Sequence, residues 1–441
     1  MSNEAQTKGK FSLPTRILIG LVLGALVGIS LNLAFAPAAG QPASEAYGHA
    51  VWFADNVAQP AGQVFLRLLF MVVVPLVFCS LVLGITGLGD LTKLGRLGRG
   101  TIGWFLATTL LAVLIGLFMV NAIEPGKSMS PETVDAVKEQ FRTDAEAKID
   151  QGAAGTGFSI HTFVNIIPRN VIASAGNERD ALGLIFFALM MGIAASTLGP
   201  DRTKAFREVL ETVYECCVKI LGYAMRIAPY GVFGLIYSVT AKLGLEVLQS
   251  LMVYVGVAMA GLLIHQFVVL PLLALVFAGV GPMRLLRGCR SLLVTAFSTS
   301  SSNATLPTTI RTAVDEFGVP PQIAGFVMPL GATMNMNGTA LFEGVTVLFL
   351  AQVAGIELSL VSQLIVVLLS ILTAIGTAGV PGGSLPLLAI VLAQVGVEPG
   401  MIALILGTDR IVDMTRTMPN VTSDLVCSLW LAKREGATLK A

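Results

Sequence analysis

Eight long apolar runs restrict this chain more than any other feature. They lie at about 13–36, 58–86, 100–123, 158–198, 210–241, 249–280, 320–352 and 399–431. About 20 mostly apolar residues suffice for a helix to cross bilayer hydrocarbon, and every run reaches that length. Charge agrees: 12% of residues are charged and 54% hydrophobic, where a soluble domain carries about 25% charge. The expected fold class is therefore an all-α polytopic membrane protein. The run at 158–198 is long and interrupted, which predicts several short helices. A net charge of +1 gives no sign of a nucleic-acid partner. The five cysteines, Cys79, Cys216, Cys217, Cys289 and Cys427, have no metal spacing and read as buried free thiols. Three histidines are too few and scattered for a metal site, and no cofactor is expected. No small-residue cleavage site follows a short apolar core at the start, so no cleavable signal peptide is expected.

Lysine and arginine between the runs set the orientation. Basic clusters at Lys8, Lys10 and Arg16, at Lys93, Arg96 and Arg99, at Arg202, Lys204 and Arg207, at Arg284, Arg287 and Arg290, and at Lys433, Arg434 and Lys440 all fall on one side if two further, broken segments do not cross. That side reads as cytoplasmic, with both termini on it, in the cell (inner) membrane. The loop near 125–157 mixes both charge signs and would face outside. Gly20, Gly24 and Gly28 are four apart, a spacing that lets helices approach closely and needs no function beyond packing.

The broken segments, about 288–311 and 358–395, carry "TAFSTSSSNATLP" and "TAIGTAGVPGGSLP". Both open Thr-Ala-x-x-Thr and close with a hydroxyl residue followed by Leu-Pro, as an internal repeat would. Irregular backbone survives in a membrane only where protein or a water-filled cavity satisfies it. Paired broken segments in two halves of a chain point to a transporter binding site. Hairpin tips at mid-bilayer would offer free N–H groups at helix N-termini to an anion. The alternative is two polar loops outside the membrane. A serine nucleophile is not supported, because no histidine stands in a general-base position.

The last run holds Asp409, Arg410, Asp413, Arg416 and Asp424. Each charge at a membrane helix centre costs roughly 2.5–3.5 kcal/mol, so such residues are functional candidates. Asp409, Asp413, Arg416, Asn420 and Asp424 step by 4, 3, 4 and 4, placing them on one face within roughly 80°. For Asp409 and Arg410, ion pairs that bind the bundle are an equal alternative. Pro419 removes a ladder hydrogen bond there and frees a carbonyl. In the seventh run, Asn335, Asn337, Gly338 and Thr339 predict local unwinding. Released carbonyls, amides and a carboxylate would make an oxygen site for a small cation.

"SSNATLP", "NMNGT", "GTAGVPGG" and "DRIVDMTRTMPNVTSD" occur in that order, with "IIPRN" and "PYGVFGL" upstream. Together they resemble the dicarboxylate/amino acid:cation symporters, which include the glutamate transporters. The resemblance implies eight transmembrane segments, two re-entrant hairpins with inverted repeats, a homotrimer, and no enzyme activity. It also implies a scaffold, mainly 13–86 and 158–241, past which a transport domain slides, mainly 100–123 and 249–431. By position, Arg416 would hold the substrate side-chain carboxylate and Asp413 its ammonium. Ser302, Thr417 and Asn420 would bind the amino-acid end, and Thr339 would assist at the side chain. Ser300, Ser301 and the backbone from Val380 to Gly382 would close the site. Asn335, Asn420 and Asp424 match one sodium site. Thr333, Met336, Ala374, Ile375 and Thr377 match a second.

An aspartate and an arginine together favour an acidic amino acid, with C4-dicarboxylates or neutral amino acids as the alternatives. Sodium, protons or both would drive the transport. In sodium-coupled glutamate carriers the seventh-run motif usually reads Asn-Met-Asp-Gly-Thr; here Asn337 replaces the aspartate. Thr108 and Thr109 fit a third sodium site, but Phe105 stands where tyrosine is common, so fewer sodium ions are expected to couple. Ser300 replaces an arginine of some members, which leaves the guanidinium to the last helix. Glu343 resembles the proton-carrying glutamate of some relatives, with a neutral packing role as the alternative. His265 reads as a structural hydrogen bonder. An open channel is disfavoured by occluding tips. An intramembrane aspartyl protease is disfavoured because "GLGD" at Gly87–Asp90 sits at a helix end beside basic residues and has no convincing second aspartate to pair with.

Overall fold

The computed structural model describes residues 13–37, 44–87, 91–128, 167–176, 181–377 and 379–440. All regular structure among them is helical, and six helices are long and apolar enough to cross a membrane. The reading of Gly87–Asp90 falls partly outside these residues, as does most of the loop near 125–157.

The first helix, α1 (Leu13–Phe35), lies against α8 (Pro200–Leu243). Its glycine stripe is the contact. A Cβ at Gly20 would fall 2.3 Å from the Pro229 carbonyl oxygen, and one at Gly24 2.7 Å from that of Phe233. The spacing therefore serves close backbone packing. Next come α2 (Glu45–Phe53), α3 (Gln59–Phe70) and α4 (Val73–Gly87), which follow one another almost without a break. The second apolar run thus begins a dozen residues earlier than its hydropathy suggests. After α5 (Leu91–Ile123) come α6 (Val171–Ala175) and α7 (Ala181–Leu198), short helices as the interruption at 158–198 predicts.

Three corrections concern this part of the chain. Lys93, Arg96 and Arg99 lie within α5, and Arg202, Lys204 and Arg207 within α8, not in connections. Lysine and arginine are good helix formers, so a basic cluster extends a helix as readily as it ends one. The fifth apolar run is accordingly part of a 44-residue helix. Of the cysteines, all are free, but Cys216 is exposed beside buried Cys217. Adjacent helical residues point about 100° apart, so an apolar run does not bury every thiol in it.

The rest of the chain builds the candidate site. It comprises α9 (Leu245–Ile264), α10 (Leu270–Leu273), α11 (Pro282–Gly288), α12 (Arg290–Thr299), α13 (Ser302–Arg311) and α14 (Pro321–Met334). It continues with α15 (Asn337–Val353), α16 (Leu360–Gly376), α17 (Leu385–Gln394) and α18 (Ile402–Arg434). Helices α12 and α13 pack together as one hairpin, and α16 and α17 as another. The first hairpin turns at Ser300, which takes a left-handed conformation at φ 50°, a region non-glycine residues seldom occupy. The tips touch. The Asn303 N–H donates to the Gly379 carbonyl at 3.2 Å, and the Ser301 hydroxyl donates to the same oxygen at 2.5 Å.

Between α14 and α15 the helix is broken at Asn335 and Met336, where the run of polar small residues predicts unwinding. α18 passes through Pro419 without interruption and is buried along nearly its whole length, charged residues included. Around it pack α14, α15, α5, α9 and the first hairpin, together with α8 and α1, which pack chiefly on each other; the second hairpin packs on α15, α5 and α4.

Candidate functional site

Four charges of α18 form one buried network. The Arg416 Nε and Nη2 both donate to Asp413 Oδ1, at 3.0 and 2.6 Å. Asp413 Oδ2 accepts from Arg410 Nη1 at 3.1 Å and from the Gly382 N–H of the second tip at 3.2 Å. Arg416 Nη1 stands 3.6 Å from Asp409 Oδ1, and the guanidinium lies 4.3 Å from the centroid of the Phe342 ring, a cation–π geometry. Two carboxylates and two guanidiniums balance. Buried charge is tolerable where it is paired and hydrogen-bonded in this way. Arg410, one position off the expected face, joins because its side chain is long enough to reach forward about one turn to Asp413.

A small cavity of about 10 Å³, roughly the room of one water, opens beside this pair. The first hairpin lines it with Ser300 and Ser302, and the second with Thr377, Gly379, Val380 and Ser384. The broken helix contributes Met336 and Thr339, and α18 contributes Asp413, Arg416, Thr417 and Asn420. The structure thus brings most of the expected substrate residues to one point. Ser301 and Gly382 are the exceptions: Gly382 reaches the site through its N–H bond to Asp413, and Ser301 caps α13 by accepting from the Ala304 N–H at 3.1 Å and ties the tips together. Two wider clefts, of about 380 and 460 Å³, adjoin the tips. Both include Asn303 of the first tip and Tyr214 of α8.

The candidate ion residues lie one turn further along α18. Asn335 Nδ2 donates to Asp424 Oδ1 at 2.8 Å and to the Ser423 hydroxyl at 3.0 Å. Thr108 Oγ1 sits 3.4 Å from Asn335 Oδ1, and the Ser423 hydroxyl donates to it at 3.3 Å. Asn420 accepts from the Gly338 N–H at 2.8 Å and donates to Thr339 Oγ1 at 3.3 Å. Asp424 is 2% exposed and has no cationic side chain paired with it among the described residues. A buried carboxylate without such a partner is chemically suited to a small hard cation. Thr333, Ile375 and Thr377 line the larger cleft, and Ala374 is buried behind them. Thr109 is buried next to Thr108. The Asn337 side chain is buried, and neither of its polar atoms has a hydrogen-bond partner.

Glu343 is fully buried on α15. Its Oε2 accepts from the Thr373 hydroxyl of α16 at 2.5 Å, and its Oε1 has no partner. The expectation for His265 is corrected: both ring nitrogens are buried without a hydrogen bond. It occupies a π-helical turn, His265–Val269, a local widening that removes the usual helical neighbour. Thr373, Ser423, Ser384 and Phe342 were not singled out by sequence reasoning. Thr373 and Ser384 did carry a signal, since they open and close the repeated motif. Ser423 falls three residues after Asn420 on the charged stripe. Phe342 is one apolar residue among many and gives no sign.

The profile of the sodium:dicarboxylate symporter family matches residues 13–434. A proton/sodium-glutamate symport protein of Bacillus caldotenax is 34% identical over 97% of this chain and 95% of its own length. A proton/glutamate-aspartate symporter of Escherichia coli is 34% identical over 97% of this chain and 93% of its own. A C4-dicarboxylate transport protein of Rhodospirillum rubrum is 32% identical, covering 88% and 85%. With the motifs, the paired hairpins and the charged inner helix already assembled, this match settles the kinship: the chain belongs to the sodium:dicarboxylate symporter family.

Proposed function

We propose that this chain is a secondary active, cation-coupled symporter that imports glutamate or aspartate, driven by sodium, protons or both. The buried Arg416–Asp413 pair, facing a cavity closed by both hairpin tips, carries the reading. A substrate with two carboxylates and an ammonium can replace this pair: its side-chain carboxylate takes the Arg416 fork, and its ammonium takes the released Asp413 oxygen. Arg416 and Asp413 each exchange one partner for another and neither is left bare, while the α-carboxylate is left to the polar groups of Ser302, Thr417 and Asn420. A neutral amino acid would leave Arg416 unpaired in a dry site, where an uncompensated charge costs several kcal/mol.

In this reading eight segments cross the membrane and the hairpins enter it without crossing. The transport domain, mainly 100–123 and 249–431, slides against the scaffold, mainly 13–86 and 158–241. The close packing of α1 and α3 on α8 supports a common scaffold, and α1 and α8 also meet α18 where the two parts would slide; the clefts between α8 and the tips supply a path to the site. The assembly is a homotrimer in the inner membrane, with both termini cytoplasmic, as the basic clusters favour. Asp424, Asn335 and Asn420 serve one cation. Thr333, Met336, Ala374, Ile375 and Thr377 serve a second. Thr108, Thr109 and Asn337 form a weakened third.

One observation favours C4-dicarboxylates as a second reading. Arg410 offsets the charge of Asp413, which lowers the repulsion a plain dicarboxylate would meet. The deciding experiment is uptake of labelled aspartate into proteoliposomes, with sodium and proton gradients imposed one at a time and succinate or serine as competitor. Aspartate uptake that follows a gradient and resists both competitors is expected. Gradient-driven uptake of succinate alone would overturn the acidic amino acid reading.

Glu343 is the proposed proton carrier. Its contact with Thr373 ties its protonation to the second hairpin. Glu343→Gln is expected to leave aspartate exchange intact and to flatten the pH dependence of net uptake. A pH profile unchanged from wild type would assign the residue to packing.

A further inference from the structure

Most polar groups lining the small cavity already have partners inside the protein. The Thr377 hydroxyl donates to the Thr373 carbonyl at 2.9 Å, and the Thr417 hydroxyl to that of Asp413 at 2.8 Å. Thr339 is bonded to Asn420. Three buried donors have no hydrogen bond: the Ser300 hydroxyl, the Ser384 hydroxyl and Arg416 Nη1, the last with only its 3.6 Å ionic contact to Asp409. They come from the first tip, the second tip and α18, and all three residues line the same cavity. Buried polar atoms are nearly always satisfied, so three exceptions meeting at one point call for a common partner.

Ser384 is the least expected of the three. It is 1% exposed and stands at the N-cap of α17, yet its side chain makes no capping bond. Serine at this position usually accepts from an N–H of the first turn. The tip of the first hairpin shows that ordinary behaviour, with Ser301 capping α13. Thr305, which matches Ser384 in the repeated hydroxyl-Leu-Pro motif, donates its hydroxyl to the Ser301 carbonyl at 2.7 Å. Ser384 makes neither bond. Its hydroxyl is held at the cavity wall without an internal use.

The chemistry of the three donors selects the partner. A guanidinium has no acceptor, so the group that meets it must accept. A carboxylate accepts through both oxygens and offers about four lone-pair sites. An amide offers one acceptor oxygen and turns an NH2 toward the guanidinium. We propose that Ser384 is a specificity-determining residue whose hydroxyl donates to the substrate carboxylate held by Arg416. The inference deepens the proposed function and rests on it. Arg416 supplies charge, and Ser384 supplies a neutral donor on the opposite wall, so that both oxygens are engaged when the second tip is closed.

The test compares wild type, Ser384→Ala and Ser384→Thr in proteoliposomes, reading KM for L-aspartate and the inhibition constant of L-asparagine. A hydrogen bond to an ionised group contributes enough that its loss should raise KM for aspartate roughly tenfold to a hundredfold. Asparagine inhibition should change by less than about threefold, narrowing the acid-to-amide ratio, since a neutral partner makes the weaker bond. Ser384→Thr should keep most of the preference. An unchanged KM for aspartate in Ser384→Ala overturns the inference, and so does an equal loss for both solutes, which would mark a residue that only shapes the tip. If Ser384→Ala does not assemble, Ser384→Cys keeps the volume, weakens the donor and is read by the same ratio. Wild-type protein that fails to take up aspartate overturns the proposed function, and this inference with it.

Discussion

Arg416→Gln is expected to reduce uptake of acidic amino acids by at least about a hundredfold and to remove their advantage over neutral ones. Among the described residues that line the cavity, Arg416 alone carries a positive charge. Its fork donates twice to Asp413 Oδ1, and glutamine offers no charge and no such geometry. The same change leaves Asp413 with Arg410 alone and Asp409 without its 3.6 Å ionic contact. Removing one partner of a buried pair destabilises by about 3–5 kcal/mol, so a lower melting temperature in detergent is expected too. Arg416→Lys separates the two effects. It keeps the charge, and with it most of the stability, but not the planar fork. Selectivity for acidic solutes that survived Arg416→Gln in folded protein would remove the basis for an acidic substrate.

Gly338→Ala is the second change with a large expected effect. A Cβ there would fall 2.2 Å from the Arg416 carbonyl oxygen and 2.7 Å from Pro419 Cγ. Neither can give way, because one is backbone in the middle of α18 and the other a proline ring. The first turn of α15 would have to back off from α18, breaking the 2.8 Å bond from the Gly338 N–H to Asn420. Overpacking of this kind costs typically 1–3 kcal/mol. The displaced turn also carries Asn337 and Thr339, so loss of transport should exceed what the stability change explains. Sodium-dependent uptake at matched levels of folded protein measures it. Wild-type rates in Gly338→Ala would show that the helices do not meet so closely during transport.

Much of this arrangement is written locally in the chain. Hydrophobic length marks the long apolar helices, six of which among the described residues could cross a membrane, and hydroxyl, glycine and proline runs mark where backbone leaves regular helix. The 4, 3, 4, 4 stepping of α18 places four charged residues and Asn420 on one buried face. The break at Asn335 and Met336 follows from small polar residues that compete for backbone hydrogen bonds. Other features depend on distant partners. That Arg410 reaches Asp413 depends on a long side chain's rotamer, which periodicity does not specify. That Phe342 lies under Arg416 depends on how α15 is rotated against α18. His265 without a partner depends on what packs around its π-helical turn, and Cys216 faces outward because it lies about 100° around the helix from buried Cys217. That Ser384 stands at the N-cap of α17 without making a capping bond depends on the surrounding backbone, which the repeated motif does not specify.

The balance of charge in the network around Arg416 has an electrical consequence. Asp409, Arg410, Asp413 and Arg416 sum to zero when all are ionised and lie within a few ångströms of one another. In the sliding motion proposed above they travel through the membrane field as a neutral cluster, and the work of moving one arginine is cancelled by its neighbouring aspartate. The current measured during a turnover should then report the solute and its accompanying cations, with little contribution from these four side chains.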